Sequence, residues 1–145
     1  MKVAYNNCYG GFSLSPLAET EYQKKKGIDL TWYIGQGKIP YSQFIRIDED
    51  LAEIDARSVL FSLTAATEDL GKQISEIPNG KRFYESWYGE ENRNDPDLIE
   101  VIERLGDKAN GVCADLAIKE IPDGADYEIT EYDGNEDVMP PRMSW

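Results

Sequence analysis

Lys2-Val3-Ala4-Tyr5-Asn6-Asn7-Cys8-Tyr9-Gly10-Gly11-Phe12-Ser13-Leu14-Ser15-Pro16 is the stretch on which the fold turns. Lys2 to Asn7 reads as a strand, and the run from Cys8 to Phe12 reads as a turn, because paired glycines accept backbone angles that other residues resist. At least one of Gly10 and Gly11 is therefore expected at positive φ. Ser15-Pro16 then opens a helix: a serine hydroxyl caps free N–H groups, and proline is preset for the first helical position. The helix runs from Leu17 to Lys26 and closes at Gly27, with lysines 24–26 placed where the helix dipole favours cations. A strand, a glycine turn and a capped helix thus begin the chain.

Working outward, Ile28–Ile34 and Tyr41–Ile47 carry β-branched and aromatic residues on either side of Gly35-Gln36-Gly37-Lys38, which predicts a hairpin. From Asp48 to Ile77 the spacing of Leu51, Ile54, Phe61 and Ala65 suits a helix face, with Val59-Leu60-Phe61 as an alternative buried strand. Asp95-Pro96 starts a second principal helix, with a stripe of Leu98, Val101, Ile102, Leu105 and Ala109 and a Glu100–Arg104 pair at i,i+4. Asn110-Gly111 is its expected end. Val112–Ile121 and Asp126–Asp133 flank Pro122-Asp123-Gly124-Ala125 and read as a terminal hairpin. Glu-Ile-Pro-x-Gly occurs at 76–80 and again at 120–124, either as a recurring turn or as the trace of a duplication. The expectation is a compact single α+β domain spanning 1–145, with a mixed or largely antiparallel sheet and two principal helices.

The chain has 145 residues, enough to bury a core without disulfides or a metal. Its net charge of −13 repels nucleic-acid phosphates and anionic membranes, so direct nucleic-acid binding is disfavoured. Residues 1–88 hold 10 Lys and Arg against 12 Asp and Glu, whereas residues 89–145 hold 5 against 16, so the acidity belongs to the C-terminal part. No apolar run is long enough for a signal peptide or a membrane span, and a cytoplasmic location is expected. Cys8 and Cys113 are too few and too far apart in sequence for a disulfide framework or a zinc site; free thiols are the expectation, with one bridge left open. The absence of histidine removes the usual general base near neutral pH and the commonest transition-metal ligand.

With Asn6-Asn7-Cys8-Tyr9-Gly10-Gly11-Phe12-Ser13-Leu14-Ser15 in view, the chain resembles a family of small uncharacterised proteins of tailed phages and prophages. Arg93-Asn94-Asp95-Pro96, Leu105-Gly106-Asp107-Lys108-Ala109-Asn110-Gly111, Glu120-Ile121-Pro122-Asp123 and Glu131-Tyr132-Asp133-Gly134 resemble the family's second cluster of motifs. The resemblance covers residues 1–34 and 90–138 and leaves the middle aside. It implies a phage-type accessory protein acting in the host cytoplasm, and transfers no activity. Relatives often carry histidine where this chain has Asn94, and a His-Arg pair where it has Pro141-Arg142; a step that used either histidine is lost here.

Tyr9, Gly10, Gly11, Ser13 and Ser15 form the first candidate ligand site, since a Gly-Gly turn before a helix offers backbone N–H groups, hydroxyls and a positive helix end to a small anionic, nucleotide-like molecule. The same residues serve equally as a plain turn and cap. Arg93 could clamp such a ligand in bidentate fashion, or lie solvated on the surface. Cys8 is either a structural thiol or a nucleophile, and Glu85 and Glu128 are the carboxylates that an enzyme without histidine would use. Asp133-Gly134-Asn135-Glu136-Asp137 has oxygen ligands at alternate positions but lacks the remaining features of a calcium loop. The acidic run from Asp115 to Asp137, with Asp126, Glu128, Glu131 and Asp133, could instead imitate phosphates and occupy a host protein's basic surface. The reading is a non-catalytic accessory protein that needs no cofactor and interferes with a host process or defence by binding a small anion or a host protein. Its rivals are an enzyme acting on a nucleotide or modified protein, and a structural part of a virion or larger assembly.

Overall fold

The structure is a computed structural model that describes residues 1–37, 40–54, 62–83 and 90–141. The regular elements are, in order, β1 (Lys2–Asn6), α1 (Pro16–Lys25), β2 (Thr31–Gln36), β3 (Gln43–Arg46), β4 (Leu63–Ala66), β5 (Gln73–Ile74) and β6 (Arg82–Phe83). They are followed by α2 (Pro96–Leu105), β7 (Leu116–Glu120), β8 (Glu128–Tyr132) and β9 (Asn135–Met139). Among the described residues, short strands in antiparallel sheets with two α-helices make this an α+β fold. Within the span expected as one domain, contacts group into two compact units: Met1–Tyr22 with Trp87–Trp145, and Gln23–Ser86. No described helix is long and apolar enough to cross a membrane.

In the first unit β1 pairs antiparallel with β7, in register from Lys2↔Glu120 to Asn6↔Leu116. Strand alternation sends successive side chains of β1 to opposite sides. Ala4 joins a core of Leu14, Ala18, Tyr22, Leu98, Ile99, Val101, Ile102 and Ala109, whereas Val3 packs with Ile121 and Val138. Each fully buried aliphatic side chain of α2 contributes about 1.5–3 kcal/mol relative to exposure. The Asp95 side chain caps α2 by accepting from the Asp97 N–H at 3.0 Å, and Asp95 Oδ2 accepts from the Tyr22 hydroxyl at 2.6 Å. One carboxylate thus starts α2 and fixes α1 against it.

The second unit is a five-stranded antiparallel sheet in the order β5-β3-β2-β4-β6. Its core gathers Tyr33, Ala66 and Ile77. The Tyr33 ring is buried, and its hydroxyl donates to the Gly71 carbonyl at 2.9 Å while accepting from the Leu70 N–H at 3.0 Å. Arg46 binds Asp48 and Asp69 together, and the Asp69 carboxyl is held below its ordinary range by the Gly71 N–H and then by Arg46.

The first strand, its glycine turn, the Ser15-Pro16 helix start and the β2–β3 hairpin follow the sequence expectation, with both Gly10 (φ 129) and Gly11 (φ 96) at positive φ. Three expectations need correction. The helix expected between Asp48 and Ile77 is absent from the described part: Leu51–Glu53 is a single tight turn, and Leu63–Ala66, with Ala65, is a strand because β2 offers it a partner along Thr31–Ile34. Phe61 and the Val59-Leu60-Phe61 alternative lie outside the described residues. α2 stops at Gly106 (φ 58) rather than at Asn110-Gly111, the residues to Ala109 forming a tight 3₁₀ turn. Its Arg104 pairs with Glu21 of α1 at 2.6 Å.

The terminal hairpin is also shifted. β7 pairs with β1, and the hairpin is β8–β9, closed by Asp133 (φ 50) and Gly134 (φ 85) between Tyr132 and Asn135. Two positive φ angles in a two-residue loop are what a type I′ turn demands, and Asp-Gly supplies them at least cost. The two Glu-Ile-Pro-x-Gly stretches lead to unlike structures, a 3₁₀ turn at Asn79–Lys81 and a turn at 122–125.

Gly134 has a second constraint, since a Cβ there would collide with the backbone N of Gly11 and lie 2.6 Å from that of Gly10. Gly134→Ala is expected to destabilise the protein by about 2–4 kcal/mol, through left-handed strain and overpacking together. Gly124→Ala, at φ 74 with no described atom within 4 Å of its Cβ position, should cost only about 1 kcal/mol. Urea denaturation of the two variants reads the difference; equal losses would mean that the hairpin turn does not press on the glycine turn.

Candidate functional site

The Cys8–Phe12 turn is held from three sides. The buried Asn6 side chain donates to the Cys8 carbonyl and to the Gly134 carbonyl, both at 2.8 Å, and accepts from the Asp115 N–H at 2.8 Å. A neutral amide suits this position because it presents donors and an acceptor at once. The Gly10 N–H donates to the Asp133 carbonyl at 3.2 Å, so the hairpin turn and the glycine turn lie backbone to backbone.

Arg93 reaches the same place from the loop before α2. Its guanidinium donates in bidentate fashion to Glu136 at 2.7 and 2.9 Å, with the two side chains only 6% and 9% exposed. The carbon of the guanidinium stands 3.9 Å from the centre of the Phe12 ring, a cation–π contact. Glu136 Oε1 also accepts from the Asn6 N–H at 2.9 Å, and the Arg93 carbonyl accepts from the Ala4 N–H at 2.8 Å.

All six residues read from the sequence as ligand-binding lie in this unit, and the structure brings Arg93 to the glycine turn through Phe12. The polar groups of Ser13, Ser15 and Arg93 and the Gly10 N–H are engaged within the chain. The Ser15 N–H donates to Ala109, the Ser15 hydroxyl donates to Lys108 at 2.6 Å and accepts from the Ala18 N–H, and the Ser13 hydroxyl donates to Val112. The bidentate face of Arg93 is occupied by Glu136, so an external anion would have to compete with a buried carboxylate. Cys8 is half-buried, Glu128 is exposed on β8, and Glu85 lies outside the described residues.

Tyr9 is different. The residue is 62% exposed, and its ring meets that of the 77% exposed Tyr132 edge to face, with centroids 6.4 Å apart. Beside them opens a cleft of about 460 Å³, walled by Asn7 and the two tyrosines and by Glu131, Glu136 and Asp137. Register places Glu128, Thr130 and Tyr132 of β8 opposite Met139, Asp137 and Asn135 of β9, one face of the hairpin, while Ile129 and Val138 share the other. The first face points outward: of its six residues only Asn135 is not exposed, whereas Val138 is buried. Asp126, Glu131 and Asp133 are exposed around it. The arrangement offers aromatic edges and carboxylates, and is suited to cations rather than anions.

Sequence reasoning missed Asn6, Tyr132 and Glu136. The signal was present in Asp133-Gly134, whose two-residue hairpin reading puts Glu136 and Val138 on one face and Tyr132 on the other. Comparisons with protein-family models, curated proteins and solved structures find no match to this chain.

Glu136 and Arg93 should behave as one buried unit. Arg93→Met is expected to cost about 3–5 kcal/mol, because it leaves an uncompensated carboxylate, and Arg93→Met with Glu136→Leu should recover a large part of that loss. Chemical denaturation of the single and double variants measures the coupling; simple additivity would show that the pair is not what joins these segments.

Proposed function

We propose that this chain is a non-catalytic binding protein that docks a basic surface of a partner protein on the outward face of the β8–β9 hairpin. The observation that carries the proposal is the exposed Tyr9–Tyr132 pair beside a carboxylate-walled cleft. Two neighbouring tyrosines left in water are apolar area that a partner can cover, and tyrosine supplies contact area at low entropic cost. Carboxylates around them favour lysine and arginine and steer their approach. Met139, 40% exposed at the far end of the same face, extends the apolar part. The resemblance to phage and prophage proteins makes a host protein the proposed partner, and interference with a host process or defence the proposed outcome.

The small-anion reading has less support, because the Ser15 N–H, the Ser13 and Ser15 hydroxyls and the fork of Arg93 already have partners within the chain.

An arginine-rich peptide followed by tyrosine fluorescence serves as a probe. Its binding should weaken as salt rises, and Tyr9→Ser and Tyr132→Ser should each cost about 1–2 kcal/mol. Glu128→Gln with Asp137→Asn should flatten the salt dependence. Binding that ignores both tyrosines would reduce the interaction to non-specific charge attraction and sink the docking face. Calorimetry with nucleotides separates the other reading: nucleotide binding abolished by Ser13→Asp would move the function to the start of α1.

A further inference from the structure

We propose that Cys8 and Cys113 form a reversible thiol–disulfide pair that covalently closes the glycine turn onto the turn before β7. They are the chain's two cysteines, separated by 105 positions and free in the structure. The β1–β7 ladder brings them together. Its last registered pair is Asn6↔Leu116, and beyond it the Asn7 N–H still donates to the Asp115 carbonyl at 2.8 Å, so the two strands leave the sheet side by side. The Cys8 thiol donates to the Cys113 carbonyl at 3.0 Å. The Gly10 backbone also packs against Cys113, since a Cβ at Gly10 would lie 2.7 Å from the Cys113 Cβ. Cys113 Cβ therefore faces the turn that carries Cys8. Rotation of two side chains with a small backbone adjustment is the movement required, not refolding.

The two thiols differ as an attacking and a resolving pair should. Cys113 is exposed and sits at φ 62, a left-handed angle that a residue with a Cβ holds only when its surroundings impose it. Cys8, the first residue of the turn, is half-buried, its sulfur 3.5 Å from the Asn6 side-chain oxygen. A low-molecular-weight disulfide such as glutathione disulfide supplies the oxidising equivalents. The Cys113 thiolate attacks one of its sulfurs, forming a mixed disulfide and releasing one glutathione thiolate. The Cys8 thiol gives up its proton to solvent, and its thiolate attacks the Cys113 sulfur and expels the second glutathione. Two protein thiols are oxidised to one disulfide, and one glutathione disulfide is reduced to two glutathiones. Excess reduced glutathione runs the sequence backwards. This inference does not depend on the docking face.

The test uses the full chain at low concentration in glutathione redox buffers, read by intact mass and thiol counting. The expected product is a monomer lighter by two hydrogens, with no thiol titratable under denaturing conditions, and restored by dithiothreitol. Cys8→Ser should instead accumulate a stable single glutathione adduct at Cys113. The effective concentration of one thiol for the other should be at least about tenfold higher in the folded wild-type chain than in urea, because the fold holds the turns together. That comparison needs no variant to fold. Wild-type chains carrying two glutathione adducts, disulfide-linked dimers, unreacted thiols, or equal effective concentrations folded and unfolded would overturn the pairing.

Discussion

The buried ion pair between Arg93 and Glu136 is the constraint on which the first unit depends. Two charges this far from water are costly unless each finds several partners, and both do. Glu136 accepts from both terminal nitrogens of Arg93 and from the Asn6 N–H, while the Arg93 guanidinium stacks on Phe12 and donates to the Ala4 carbonyl, and the Arg93 carbonyl accepts from the Ala4 N–H. One pair thereby joins β9, β1, the glycine turn and the loop that starts α2. These segments are distant in sequence, and the apolar contacts among them are divided between two small clusters on opposite sides of β1. Apolar burial alone sets no particular register between hairpin and strand, since it has no direction. A bidentate fork does, because it fails when either partner moves by a fraction of its bond length.

That fixed register has a consequence on the other side of the hairpin. When Glu136 and Val138 point inward, alternation forces Tyr132, Asn135, Asp137 and Met139 outward. The backbone contact between Asp133 and Gly10 sets the glycine turn beside the hairpin turn, and Tyr9 then meets Tyr132. The outward aromatic pair is thus a product of the inward ion pair, acting through strand geometry. With net charge −13 concentrated toward the C-terminus, such a face sits in a field that attracts cations and repels phosphates.

The second unit is stabilised differently. Its sheet closes over a small core in which the Tyr33 hydroxyl satisfies one donor and one acceptor of the 70–71 turn, and Arg46 gathers two carboxylates at the surface. A buried tyrosine whose hydroxyl is fully used packs like a hydrophobe without the penalty of an orphaned polar group.

Residues 1–27 and the start of α2 were legible in the sequence because their signals are local. Ser15-Pro16 and Asp95-Pro96 cap helices with their own side chains, Gly10-Gly11 supplies positive φ without help, and Leu98, Val101 and Ile102 mark a buried face by spacing alone. The pairing of β7 with β1 was not legible. A strand's preference for a partner is weak until a second strand is brought alongside, and the neighbour in sequence, β8, lost to one more than a hundred residues away. The same holds for Ala65, whose helical spacing gave way to the free edge of β2. Arg93 shows the limit most sharply. The sequence determined that a forked cation stands before a capped helix; only the tertiary structure decided that its carboxylate would be Glu136 rather than a ligand, because a charge drawn into a core must take its partner from whatever the fold carries in with it.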